Sequence, residues 1–236
     1  AVDYSVRAVA NLCEELFFAD ESELLAWSID WPDFQIYGNM VMSGSTSCTP
    51  VGSNVYVYLS LRRVASNVSF CVDDSALGAV SITSVKLCQI PVSTCPFSES
   101  NKASQVRAGD SASEADLALL DEGEEVVFYT LENMQGTLLP DNDDPWSKVP
   151  EKISAVSGLC TYVEVQGHFD GVSSIFNGDV TYRFYLGSDN CSNFDVKRNT
   201  DYHITLVMST DLDAVSWKIS SDASVVAEGH GSGYIY

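Results

Sequence analysis

Two stretches near the C-terminal end carry the clearest pattern in the chain. Val180, Tyr182, Phe184 and Leu186 alternate with Thr181, Arg183 and Tyr185, and Tyr202, Ile204, Leu206 and Met208 keep the same period after a polar interval. A period of two in Val, Ile, Tyr and Phe predicts half-buried strands, and the polar interval predicts a hairpin-like connection. The same period recurs upstream. Tyr4 to Leu12 predicts a first strand, and Asn39 to Gly44 a second extended piece. From Val55 to Val72 the apolar positions are odd up to Leu61 and even from Val64. That phase flip at Arg62 and Arg63 predicts a bulge or bend, because a slip of one residue turns every side chain to the other face. Val80, Ile82, Val85 and Leu87 flip in a similar way near Ser84. Further strands are expected over 126–131, 161–165, 215–219 and 224–228.

Two short helices interrupt this pattern. Asp20 is placed to cap the first and Glu23 to complete a capping box, with Leu24, Leu25 and Ile29 on one face and Pro32 at the end. Ser113 caps the second, Leu117 and Leu120 are its buried positions, and Gly123 stops it. The surrounding stretch, 98–123, is rich in Ser, Ala, Asp and Glu, lacks alternation, and reads as a connection between domains. The fold class is therefore all-β: two β-sandwich domains in series, residues 1–110 and 111–236, with one or two short helices.

Charge narrows the function. Against 12 basic residues stand 33 acidic ones, a net charge of −21, which repels nucleic acid and anionic membrane surfaces. No run of 18 apolar residues is present, and the chain starts at Ala1, so a leader is expected to have been removed or the chain trimmed. The seven cysteines include no CxxC pair, and the three histidines do not cluster with them, so neither zinc nor any other cofactor is expected. Buried free thiols with at most one disulfide is the favoured reading.

Catalytic patterns are missing too: the sequence holds no GxSxG, HExxH, P-loop or GxGxxG motif, and no enzyme is predicted. His168 and Asp170 are close enough to form a base and its partner, but a histidine at a strand end is the preferred reading. Asp141, Asp143 and Asp144 offer the oxygen ligands that calcium takes, without the spacing or closing Glu of an EF-hand, so a solvated loop is preferred there.

Four strings, in order along the chain, resemble the fimbrillin-like proteins of Bacteroidales, the subunits of type V pili. They are Arg7-Ala-Val-Ala-Asn-Leu12 with Met40-Val-Met-Ser-Gly44, then Leu59-Ser-Leu-Arg-Arg-Val-Ala-Ser66, then Phe128-Tyr-Thr-Leu-Glu-Asn-Met-Gln-Gly136, then Asn193-Phe-Asp-Val-Lys-Arg-Asn-Thr-Asp-Tyr-His-Ile204. Ser66 stands where the family usually has a basic residue. Read as residues, these strings are structural. Asn133 and Asn199 are suited to bond their own backbone two residues on, and Arg198 to be a packed, hydrogen-bonded side chain.

The resemblance implies an exported lipoprotein precursor at the cell surface, in a fimbrium or the outer membrane, with two transthyretin-like domains. Its implied partners are other pilin subunits, in a homo- or hetero-polymer built by β-strand donation. The strand preceding Tyr4 in the family is expected to be absent here. Donor candidates are Val215, Trp217, Ile219, Val225, Val226, Tyr234, Ile235 and Tyr236; alternatively these complete the second domain's own sheet. The rival reading is a monomeric secreted adhesin or binding module for host protein or glycan, with Tyr56, Tyr58 and Tyr185 as surface aromatics.

Overall fold

Alternation becomes strand along most of the chain in the computed structural model, which describes residues 3–12, 15–31, 40–49, 56–73, 80–149, 157–170, 177–208, 215–221 and 224–231. The elements are β1 (Tyr4–Ala10), α1 (Glu21–Ala26), β2 (Ile29–Asp30), β3 (Met42–Cys48), β4 (Arg62–Arg63), β5 (Ala65–Val72), β6 (Val80–Pro91), β7 (Ser93–Thr94) and β8 (Val106–Ser111). They continue with α2 (Glu114–Asp121), β9 (Val126–Leu131), β10 (Asn133–Thr137), β11 (Tyr162–Asp170), β12 (Asn177–Tyr185), β13 (Asn193–Val196), β14 (Asp201–Met208), β15 (Val215–Ser221) and β16 (Ser224–Gly231). The protein is all-β with two short helices.

Two larger sheets face each other. One has the order β16-β15-β14-β5-β9 and the other β12-β11-β6-β8. Their inner faces supply Val68, Phe70, Ile204 and Leu206 from the first and Val85, Leu87, Val163 and Phe184 from the second to one buried cluster. β5 and β14 run parallel, Asp201 opposite Asn67, whereas the other strand pairs are antiparallel. A smaller sheet, β1-β3-β4, with the β2-β7 pair, covers a second cluster of Ile29, Val41, Val64, Ala65 and Leu131.

The hairpin expected between Val180–Leu186 and Tyr202–Met208 does not form. β12 pairs with β11 and β14 with β5, so the two strands lie in opposite sheets and the connection between them crosses the sandwich by way of β13. Alternation reports which side of a strand is apolar; it does not report the neighbouring strand. Both phase flips are real. β4 and β5 are separated at Val64, and the β6–β11 register shifts between Ser84 and Ile82, leaving Thr83 as the extra residue of a bulge.

Local signals at the helices are largely realised. Ser113 and Asp116 form a reciprocal capping box on α2, Leu120 is buried, and Gly123 follows with φ +80°, a left-handed conformation that glycine adopts without strain. At α1 the Asp20 carboxylate accepts from the Glu23 amide, but the Glu23 carboxylate reaches the Ala19 amide, one residue before the cap. This helix ends at Ala26, well before Pro32, and has no fully buried residue. Ile29 is buried instead in β2. Pro32 lies outside the described residues.

The expected boundary between residues 110 and 111 falls inside β8, which pairs with β6, and each larger sheet takes strands from both sides of it. The strand expected from Val55 to Leu61 forms no ladder before Arg62 within the described part, 56–61. There the backbone presses on β3 out of register: a Cβ at Gly44 would lie 2.2 Å from the Ser60 carbonyl oxygen. Past Ser43, β3 pairs only with β1 among the described residues.

Candidate functional site: a polar groove over a buried ion pair

A polar groove of about 880 Å³ lies between β3, the 58–62 stretch, the 96–99 turn and the turn at 197–200. Its floor is an ion pair. Arg198 follows β13 and Glu132 joins β9 to β10, so two strand ends 66 residues apart bring them together. The Arg198 guanidinium donates to Glu132 Oε2 at 2.6 Å, with side-chain exposures of 13% and 7%. It also donates to the carbonyl oxygens of Pro96 at 2.8 Å, Ser98 at 3.2 Å and Cys95 at 3.4 Å. Asn101 donates to the same carboxylate oxygen through its amide at 3.1 Å and its side chain at 2.8 Å. A buried charge pair persists only with its remaining donors and acceptors met, and this one is met on both sides.

Arg198 is thus packed and hydrogen-bonded, as its sequence context implied. Neither asparagine acts as expected. Asn199 has φ +56°, and its Oδ1 accepts from the Arg63 amide and Nε, both at 3.2 Å, rather than bonding the chain two residues on. Asn133 is fully buried in β10; its Nδ2 donates to the Leu159 carbonyl at 2.7 Å and its Oδ1 accepts from the Ala103 amide at 3.2 Å. Both long-range ties pin the turn to β4 and the strand to its neighbours.

Other candidates are placed differently. Tyr56 and Tyr58 are 86% and 91% exposed, and Tyr58 lines the groove. Tyr185 is not a surface residue: it is only 6% exposed, with ring centroids 4.8 Å from Tyr162 and 5.9 Å from Phe194. Its side of β12 is covered by β13, which carries Phe194. Asp141, Asp143 and Asp144 form no metal-ligating group, and none exists among the described residues. Asp144 instead accepts from the Ser147 hydroxyl at 2.7 Å and amide at 3.0 Å, holding the 3-10 turn Pro145–Ser147. His168 pairs across the ladder with Asp179 at 2.9 Å, and the Asp170 side chain lies outside the described residues.

Val215, Trp217 and Ile219 lie in β15, Val225 and Val226 in β16, and both strands extend the chain's own sheet. Among the described residues β15 is paired on both sides, whereas β16 has one neighbour. Tyr234, Ile235 and Tyr236 lie outside the described residues. The six described cysteines are free thiols.

A second hollow, about 450 Å³, flanks β1 and is lined by Val9, Leu12, Leu16, Phe18 and Leu24, among others. Among the described residues β1 pairs only with β3, so its other edge is open.

One buried cation was not legible in sequence. Lys148 donates to the carbonyls of Asp189 at 2.7 Å and Tyr185 at 3.2 Å and sits over the Phe194 ring. Burial pushes its pKa down to about 8, and burial pushes the nearby Cys160 thiol up to about 11. The signs follow by linkage. Between pH 8 and 10.5 the unfolded chain keeps the lysine proton that the folded chain has lost, so stability rises with pH. Above pH 9 the unfolded chain sheds the thiol proton that folded Cys160 retains, so stability falls. Cys71, Cys88 and Cys191, whose pKa values burial also raises, act in the same direction as Cys160, so the lysine is read by difference. From pH 8 to 9 the wild type should gain about 1 kcal/mol relative to Lys148→Met in urea unfolding, and parallel pH profiles of the two proteins would refute the assignment.

Comparison with solved structures places the fold. The tip fimbrial protein Mfa3 from Porphyromonas gingivalis, solved with a C-terminal truncation, matches with a TM-score of 0.56 at 11% identity, over 85% of this chain and 70% of that one. The chain shares the fold of Bacteroidales fimbrial proteins. A fimbrial assembly protein from Parabacteroides distasonis (TM-score 0.44, 15% identity, 92% of this chain and 68% of that one) is also similar. So is a cell adhesion protein, described as putative, from Bacteroides uniformis (TM-score 0.45, 6% identity, 97% of this chain and 72% of that one). Within this fimbrial fold, residues 128–206 match the family described as a domain of unknown function, DUF4906. That segment runs from β9 to β14 and contains both partners of the Arg198–Glu132 pair. No curated protein matches the sequence.

Proposed function

We propose that this protein is a non-enzymatic subunit of a cell-surface fimbria that joins its neighbours by β-strand donation. The observation that carries the reading is the edge of β1 left unpaired among the described residues, beside a cleft in which Arg7 and Asn11 stand among Val9, Leu12, Leu16, Phe18 and Leu24, in a chain with the fold of a fimbrial tip protein. A strand added along β1 would satisfy its outward amide and carbonyl groups, and alternate side chains would enter the cleft at Leu12, Leu16 and Leu24. The donor is the C-terminal segment, whose last described strand, β16, has only one neighbour. Such a head-to-tail contact does not close on itself and makes a filament. Export to the cell surface follows from that role.

Deletion of residues 222–236 tests it. The shortened chain is expected to fold, with a small drop in Tm, and to lose assembly. Leu16→Asp, in the cleft, is expected to block acceptance while leaving donation to a wild-type copy intact. Assembly that survives both changes would sink the reading.

A further inference from the structure

The groove over the Arg198–Glu132 pair meets the β1 cleft at Phe97 but is otherwise lined by different residues, and the strand donation proposed above does not use it. Its chemistry is distinct. In a chain of net charge −21, it gathers Arg62 and Lys197, both exposed, and among the described residues neither has an ion-pair partner. Arg198 and Glu132 cancel each other, leaving Glu99 as the single free carboxylate of the lining. Between these charges the walls are hydroxyl-rich, and Tyr58 stands on the rim outside any ladder, 91% exposed.

We propose that this groove binds a carboxylated saccharide, with Arg62 and Lys197 holding the carboxylate and Tyr58 packing against a sugar ring. Serine and threonine hydroxyls both donate and accept, which matches the hydroxyls of a pyranose. The amphipathic tyrosine ring suits the C–H face of such a ring and leaves its own hydroxyl wet. A cavity of about 880 Å³ accommodates roughly two or three sugar rings. A ligand with one carboxylate meets two free cations, whereas a long polyanion or a strongly acidic peptide would also meet the repulsion of the whole chain. The floor is rigid because Arg198 and Glu132 are spent on each other and on the 95–101 segment, so little ordering is left to the ligand.

The test is titration calorimetry on the full chain in dilute monomeric form, which keeps the outcome independent of assembly. Probes are 3′-sialyllactose, a glucuronate-containing tetrasaccharide of hyaluronan, neutral lactose, and an Asp-rich heptapeptide. Binding of either carboxylated sugar, with lactose weaker by roughly tenfold or more, is expected. Which of the two binds identifies the source of the carboxylate. Arg62→Gln and Lys197→Gln should each weaken binding by roughly tenfold, and Tyr58→Ala should weaken lactose and sialyllactose alike. All three residues are exposed, so unchanged Tm values will certify the fold. Equal binding of lactose and sialyllactose, tighter binding of the peptide, or no saccharide binding at all would overturn the proposal.

Discussion

Arg198→Ala is expected to destabilise the fold by about 3–5 kcal/mol, the range for removing one partner of a buried ion pair. The loss has two parts. Glu132 keeps both Asn101 donors but loses its countercharge at 7% exposure. The carbonyls of Cys95, Pro96 and Ser98 lose a common donor, which frees the turn that walls the groove. Arg198→Lys keeps the charge but cannot serve four acceptors in a planar fork, so its cost should be intermediate. Arg198→Met combined with Glu132→Leu should recover much of the loss, because no uncompensated charge remains. Urea unfolding of the four proteins decides this. A cost under about 1 kcal/mol for Arg198→Ala would mean that the pair is solvated rather than buried.

Phe70→Ala is expected to cost a similar amount, about 3–5 kcal/mol, by leaving a cavity at the centre of the sandwich. Phe70 is fully buried on β5, between parallel β14 and antiparallel β9, with its ring centroid 6.5 Å from that of Phe184 on the opposite sheet. Val127→Ala, on the exposed side of neighbouring β9, should stay within about 0.5 kcal/mol. The same variants examine the expected division at residue 110. β5 precedes that point, yet its neighbours β14 and β9 follow it. If the larger sheets form one cooperative unit, Phe70→Ala and Phe184→Ala will lower the midpoint of the same transition. Two transitions, each shifted by only one variant, would instead support two independently folding sandwiches.

Local features were legible because their causes are local. The capping residues Asp20 and Ser113 act on amides three positions away, and Gly123 stops α2 through its own backbone. The phase flip near Ser84 marked a bulge because one extra residue in β6 must invert the pattern. Tyr185 shows where such reasoning stops. Alternation correctly set it on the side opposite Tyr182 and Phe184, but nothing in β12 reports that Phe194 arrives from β13 to cover that side. β8 was missed because Val106–Ser111 carries little alternation and is strand only through its pairing with β6.

The site divides along the same line. Arg198 was readable as a packed side chain, and Tyr58 as a surface aromatic. Glu132, Asn101, Arg63 and Lys148 gained their roles only from partners remote in sequence: Arg198, Cys95 and Glu132, Asn199, and the 185–189 carbonyls. Sequence alone determined that this is an acidic, all-β chain with capped short helices and bulged strands, since composition, period and capping act over a few residues. Tertiary structure decided which strands are neighbours, which charge meets which, and where a groove is left open. Those outcomes depend on closing long loops and burying two faces together, and a period of two is the same whichever partner the strand finally meets.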